Sequence, residues 1–597
     1  MGCSVISRSV VRTGLVWLGT TALLLGVISQ ATAVSAPEFR SSATQSSLIY
    51  RSSSVVNPPE SAPIPQQDEV AVALALIEHH SSEWGIAPGQ VRYLKSIPGV
   101  AGLRTLRFIQ TSSGMDVIGS LIALTLDSKL RLVSFDVTAI SIDQSRKFVT
   151  ELSAADALKA LQQLVAAKNR VSESQVSVSN VRAVLVDSAL VPDVDSGLHI
   201  AWSAWTALVG RPDSMSVTVI DDSTQHLLYV AALAHHISYT PNVCDLQSAD
   251  VADYSSQSRA LGSAGLVRAN GGYLYFDDTA GLYPLCGTTY AGRNTSSADT
   301  ALQDIDATWT YYQDILGIDI NDEQWLGNIS TSINGDANPR ISAFTNVCTS
   351  SRDRYGRYSY SSCPNYGNAF WVPWAAPTSI CHSGACSAIF MGAGYDQALD
   401  VIAHELTHGV TFSIAFQDGY SSTSDAAAMS EGLSDVFGEA VERLMPTSKA
   451  DPTWQVGEDV TGADAGPYRI MKTGTSISAS GARIWKPAIT LAWTRADGHY
   501  NSGPLNRFAW LIANGAKIGT TTVTPLGTVP SDGICHTVSQ CTGITRMSVL
   551  LYQTLPALTS SSSYFDFGQA VMNTCQTLMS KNVDGFNATA CTNVAKA

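Results

Sequence analysis

The sequence predicts an α+β protein: a cysteine-free α+β region, then a mixed, β-rich part, then a mainly helical one. Three observations carry this. Residues 152 to 232 begin with apolar residues at helical spacing (Ala155, Leu158, Leu161, Leu164) and continue as strand-like runs at Trp202 to Trp205, Val217 to Val219 and Leu227 to Val230. From Tyr273 to about Phe390, aromatic and β-branched residues alternate with Gly, Asn and Ser turns and read as mostly strands. In the C-terminal third the apolar spacing turns helical around Ile402, Val436, Phe508 to Ile512 and Met547 to Leu551.

Taken in order, residues 1–33 hold Arg8 and Arg12, an apolar stretch from Gly14 to Ile28 and the small-residue run Gln30-Ala31-Thr32-Ala33, the three parts of an export signal. That stretch is short for a bilayer span, and nothing later approaches about 18 unbroken apolar residues, so no stable membrane anchor is expected. Residues 34–66, rich in Ser and Pro from residue 41, read as a flexible lead-in. Residues 67–145 contain the strand-like Arg107-Phe108-Ile109-Gln110 and Val117 to Leu124, and 146–240 the helix-then-strands pattern above. The remainder divides into 241–420 and 421–597. A chain of 597 residues with 45% hydrophobic and 14% charged residues can bury several cores. Its net charge of −14 and lack of a Lys/Arg run argue against nucleic acid as a partner.

Cysteine use separates the regions. Apart from Cys3, all ten lie between Cys244 and Cys591, and an even count in an exported chain favours disulfides. Connectivity is not fixed by sequence, but near neighbours suggest Cys244 with Cys286, Cys348 with Cys363, Cys381 with Cys386, Cys535 with Cys541, and Cys575 with Cys591.

The most informative run is His404-Glu405-Leu406-Thr407-His408. On a helix, histidines four apart share a face and can grip one zinc, with Glu405 facing the bound water. A catalytic zinc needs a third protein ligand and an open position. Met429-Ser430-Glu431-Gly432-Leu433-Ser434-Asp435 follows about 20 residues later, far enough for a second helix to pack antiparallel. Two carboxylates sharing a face of an apolar helix are costly to bury without a cation or hydrogen-bonding partners, so a ligand plus an orienting group is the natural account.

With these motifs the chain resembles the thermolysin-type zinc metallopeptidases, from about Asp304 to the C-terminus. The resemblance makes His404, His408 and Glu431 ligands of one catalytic zinc, Glu405 the general base and Asp435 the carboxylate that orients His404. Downstream, Asp497-Gly498-His499-Tyr500-Asn501-Ser502-Gly503 is similar to the family's HxNSG segment and makes His499 the hydrogen-bond donor to the oxyanion, with Tyr420 a second candidate. Upstream, Asn368 and the backbone of Ala369 match the edge strand that holds substrate, and Arg469 the arginine that clamps its carbonyl. Asp400, Glu442 and Glu458 match calcium ligands, while Thr453 and Gln455 stand where acids are usual, so one calcium, or a weaker site, is expected. Ser430 replaces the family's asparagine beside the glutamate ligand, which leaves the partner of His408 open. The cysteine-free stretch resembles the fungalysin/thermolysin propeptide domain (67–145) followed by a PepSY-like domain (146–240), with zinc in a cleft of a two-domain peptidase beyond.

The resemblance thus implies a secreted zinc endopeptidase, made as a self-processing zymogen whose propeptide is chaperone and inhibitor. Its substrates would be proteins or peptides, cut before bulky hydrophobic residues because Val401, Val456 and Val460 would line the pocket. The alternatives are a binding protein on an inactivated peptidase scaffold, against which the intact His404, Glu405, His408 and Glu431 argue, and a secreted inhibitor formed by the propeptide.

Overall fold

The computed structural model describes residues 49–232, 296–318, 394–445, 454–477, 483–485 and 498–597, short breaks apart, together with the strand segments between 235 and 392 named below. The export signal lies outside the described residues, as do Cys244, Cys286, Cys348, Cys363, Cys381 and Cys386.

The N-terminal half is built on one ten-stranded sheet. Its strands are β1 (Ile49–Glu60), β2 (Val91–Pro98), β3 (Arg104–Ser112), β4 (Met115–Val117), β5 (Leu121–Leu126), β6 (Leu132–Ile140), β7 (Val176–Asp187), β8 (Leu198–Leu208), β9 (Arg211–Asp221) and β10 (Leu227–Ala232). They run in the order β1-β6-β5-β3-β4-β7-β8-β9-β10, with β2 beside β3. Two helices cover it: α1 (Glu69–His79), followed by the single turn α2 (Ser81–Trp84), and α3 (Ala154–Asn169). Val72, Leu76 and Trp84 pack with Leu106, Phe108, Ile122 and Leu124 into one core, while Ala157 and Leu161 meet Trp202, Ala204 and Ile220 in another. The helical spacing read at Ala155 to Leu164 is thus α3, and the three strand runs after it are β8, β9 and β10.

Residues 49 to 60 correct an expectation. Instead of belonging to a flexible lead-in they form β1, in antiparallel register with β6 from Ile49 opposite Ile140 to Val55 opposite Ser134. Composition missed it because the strand's stabilisation comes from a distant partner: β6 completes its backbone ladder, and the C-terminal helices hold its side chains.

The β-rich part contributes a six-stranded sheet, with β11 (His235–His236), β12 (Val267–Arg268), β13 (Leu274–Phe276), β14 (Ser342–Phe344), β17 (Ala369–Val372) and β18 (Ala388–Met391) in the order β11-β17-β18-β14-β13-β12. A separate two-stranded pair is formed by β15 (Ser351–Arg352) and β16 (Tyr358–Ser359). The reading of this part as mostly strands overlooked α4 (Ser296–Leu316). Buried Ala301, Ile305, Thr308, Tyr312 and Leu316 recur at helical spacing, masked by Thr, Trp and Tyr, which favour strands.

Beyond lie α5 (Leu399–Ile414), α6 (Asp425–Leu444), the turn α7 (Gly498–Asn501), α8 (Gly503–Asn514), α9 (Thr542–Thr554), α10 (Tyr564–Ser580) and α11 (Ala588–Lys596). Cys535–Cys541 and Cys575–Cys591 are bonded as neighbour pairing suggested, the second tying α10 to α11. The ten-stranded sheet leans on these helices. Arg51 makes a two-pronged ion pair with Asp566 at 2.9 and 3.0 Å, and Lys581 reaches Asp127 at 2.9 Å. The Tyr552 hydroxyl donates to the Pro98 carbonyl at 3.0 Å, and Arg107 to that of Leu558 at 3.1 Å.

Candidate metal centre

The site sits where α5 and α6 press together. Ser424 caps α6 by accepting from the Ala427 N–H at 3.1 Å, and Asp425 and Arg443 lie at the ends that the helix dipole favours. Both helices are buried along almost their whole length. Gly438 permits the contact: a Cβ there would lie 2.5 Å from the Asp400 carbonyl oxygen.

Across this seam the predicted residues converge. The Nε2 atoms of His404 and His408 are 3.0 Å apart, and Glu431 presents one carboxylate oxygen 3.4 Å from His404 Nε2 and the other 3.7 Å from His408 Nε2. A tetrahedral zinc about 2.1 Å from each ligand needs ligand atoms about 3.4 Å apart, so these three could hold one. His404, Glu405 and His408 also form a compact potential metal-binding group. Behind His404, Asp435 meets Nδ1 at 2.9 Å, and Arg469, from the short strand Arg469–Ile470, grips the same carboxylate with two N–H donors. Asn506 on α8 adds a third donor at 2.7 Å. Behind His408, Nδ1 is 3.3 Å from the Ser430 hydroxyl and 3.2 Å from that of Ser434. Two serines thus stand where one asparagine amide was in question; Ser434 was missed, although it lies four residues beyond Ser430 on the same helix face.

Electrostatics favour a cation here. Burial pushes the Glu405 carboxyl up to about 8. Burial would lower His404, but its hydrogen bonds with Asp435 and Glu431 hold it up at about 9, so in the bare pocket a proton compensates the carboxylates. Asp435 itself, despite burial, is kept well below the usual carboxylate range by the Arg469 guanidinium. A dication between the three ligand atoms would take over that compensation.

The other predicted residues fall into three places. His499, on α7, is nearly buried, and its Nε2 lies 3.1 Å from Glu431 Oε2. Asn368 and Ala369 are buried at the start of β17, whose outer edge is paired with β11, His235 opposite Trp371 and His236 opposite Phe370. Asp400, at the start of α5, groups with Glu458 and with Glu439, which the sequence reading passed over. Glu439 continues the i+4 spacing of Glu431 and Asp435, which would have found it. Glu442 is buried one turn on but is not part of that group. Burial raises Asp400 to about 6.

Residues 419–594 match the family model described as thermolysin metallopeptidase, alpha-helical domain. A zinc metalloproteinase of Renibacterium salmoninarum is 24% identical over 509 residues, 82% of this chain and 80% of that one. Thermolysin of Bacillus sp. (strain EA1) is 24% identical over 43% of each chain, and bacillolysin of Bacillus cereus 31% over 27% of each. The chain therefore spans less than half of these last two. The precursor of protealysin from Serratia proteamaculans superimposes on 58% of this chain and 92% of its own at 17% identity and a TM-score of 0.35.

Fold and site define a peptidase with a β-rich part followed by a helical domain. Its residues 419–594 match the helical domain of the thermolysin-type zinc metallopeptidases, and the chain is similar over most of its length to a zinc metalloproteinase.

Proposed function

We propose that the protein is a secreted endopeptidase that holds one catalytic zinc between His404, His408 and Glu431 and is made as a zymogen that cuts away its own N-terminal half. The observation that carries the zinc assignment is the pair of imidazole Nε2 atoms 3.0 Å apart, with one Glu431 oxygen 3.4 Å from the first and the other 3.7 Å from the second, in a buried pocket where Asp435 fixes one imidazole from behind. When bound, the metal acidifies its water and polarises the scissile carbonyl. Glu405, held beside it on α5, takes the proton and passes it to the leaving nitrogen. His499 donates to the developing oxyanion, with Tyr420 the second candidate. Asn368 and the Ala369 backbone hold the substrate strand, and Arg469 reaches its carbonyl while tethered to Asp435. Val401, Val456 and Val460, all buried, favour a bulky apolar residue after the cut.

Elemental analysis and a casein-clearing assay with and without chelator test this together. Glu431→Ala should lose zinc and activity, whereas Glu405→Gln should keep the metal and lose turnover; full zinc occupancy in Glu431→Ala overturns the ligand set. A binding protein on an inactive scaffold would clear no casein with zinc present.

Two observations support the zymogen. Polar contacts tie the ten-stranded sheet to the C-terminal helices, and β11 lies along the strand proposed to hold substrate. The cut is placed between His236 and Cys244, just past β11. Glu405→Gln should then be exported as the full-length precursor; mature-length protein from that variant, in a host without other extracellular proteases, overturns self-processing alone. For calcium, we place a single ion among Asp400, Glu439 and Glu458, the group the structure brings together, with Glu442 as a further oxygen donor.

A further inference from the structure

A second cluster of the same donor types lies in the N-terminal half, far along the chain from the catalytic helices. Glu60 ends β1, just after an irregularity that shifts its register on β6, the kind of bulge that redirects a side chain. His79 is the last residue of α1, and His80 caps it. One ligand atom from each of the three lies within 4.8 Å of the others.

The His80 ring is held by packing, stacked on Trp84 at 4.7 Å between centroids and flanked by Phe135. Its Nδ1 is 3.1 Å from a Glu83 carboxylate oxygen, and its Nε2 is 3.2 and 3.1 Å from the two oxygens of Glu60. If Nδ1–H donates to Glu83, a neutral ring turns its Nε2 lone pair towards another anion. Something positive must lie between them. A proton would serve His80 alone, but the His79 Nε2 comes to the same carboxylate, 3.9 Å from Oε1. Measured to that same oxygen, the His80 and His79 separations of 3.2 and 3.9 Å bracket the roughly 3.4 Å edge of a tetrahedral zinc site. A carboxylate behind the ligating imidazole is the arrangement that fixes the tautomer in metal sites.

We propose that Glu60, His79 and His80 form a site for a zinc-class dication, with Glu83 orienting His80 and water completing the coordination. Two imidazoles and a carboxylate suit zinc, cobalt or nickel. The site joins the end of β1 to α1. β1 in turn carries Arg51 and Ser53 to Asp566 and Asn573 on α10, so the ion stiffens the strand through which the N-terminal half meets the helices.

The test uses the full-length Glu405→Gln chain, stripped of metal and then titrated with zinc against a competing chelator. Two ions per chain are expected, and one when His404→Ala is added. His79 is largely exposed, so His79→Ala should leave the fold intact while weakening the second ion at least tenfold; Glu83→Gln should weaken it about 10- to 100-fold. With cobalt as probe, Glu60→Gln should remove the visible bands that survive His404→Ala. A single ion lost completely with His404→Ala, or a second ion indifferent to His79→Ala and Glu60→Gln, overturns the proposal. Failure of the catalytic assignment would look different, because His404→Ala would then leave the count unchanged.

Discussion

The helix pair α5 and α6 carries two acid clusters about a turn apart, and they are compensated differently. Around His404 the carboxylates of Glu431 and Asp435 face two imidazoles and the Arg469 guanidinium, an internally balanced set in which Asp435 is a hub for His404, Arg469 and Asn506. One turn earlier on α5, Asp400 meets Glu439 and Glu458, and the Asp459 charge raises it further. There the nearby cation is Arg443, 3.6 Å from Glu439 and stacked 4.5 Å over the Trp454 ring. One seam can hold a chemically poised centre and a cation-hungry one, because ligand identity, and not burial, separates them.

The largest effect should come from breaking the balanced cluster. Asp435→Ala removes the partner of a buried guanidinium and of His404 together, and the loss should be about 3–5 kcal/mol in denaturant unfolding. A loss below 1 kcal/mol would mean that Arg469 finds another partner. The sign with pH follows from Asp435 lying below the usual range: its stabilisation is present above the unfolded value near 4 and is lost only as pH falls through its lower native value. The parent should therefore hold this contribution well into acid.

The acid-rich cluster should respond in the opposite sense. Asp400, raised to about 6, favours its protonated form in the fold, so this contribution is full below about 4 and is lost as pH rises through 6. Added calcium should restore it. A thermal shift equivalent to about 2–3 kcal/mol at saturating calcium and pH 7.5 is expected, shrinking at pH 5, where the ion must displace a proton. Glu439→Gln should reduce the shift and Thr453→Asp enlarge it. An equal shift at both pH values would place the ion elsewhere.

The legibility of these two clusters from sequence differs for a physical reason. Helical spacing alone puts His404 with His408 and Glu431 with Asp435, so residues that act through one short helix face are visible in one dimension. Glu439 obeys the same spacing and was passed over because Glu442 matched the family pattern. What spacing cannot show is pairing across the chain. β1 depends on β6 and α10, and β11 (ending at His236) finds β17 (beginning at Ala369) far along the chain, so neither is written in local composition. The helix α4 failed for a third reason: its buried face uses Thr and Tyr, whose strand preference opposes its periodicity.

The smallest and most diagnostic effect concerns the two hydroxyls behind His408. Ser430 and Ser434 approach Nδ1 from successive turns of α6 at 3.3 and 3.2 Å, so either can hold the imidazole orientation when the other is removed. Ser430→Ala alone should then change zinc affinity less than tenfold. Removing both takes away the hydrogen-bonding support behind the ring, and the loss should reach about 10- to 100-fold, more than the two single effects combined. Ser430→Asn, which restores the family's residue, should leave affinity close to the parent and make Ser434→Ala silent. Zinc competition with a chelator reads every one of these variants. Strict additivity of the single losses would show that the serines do not share the task and that His408 is oriented by packing instead.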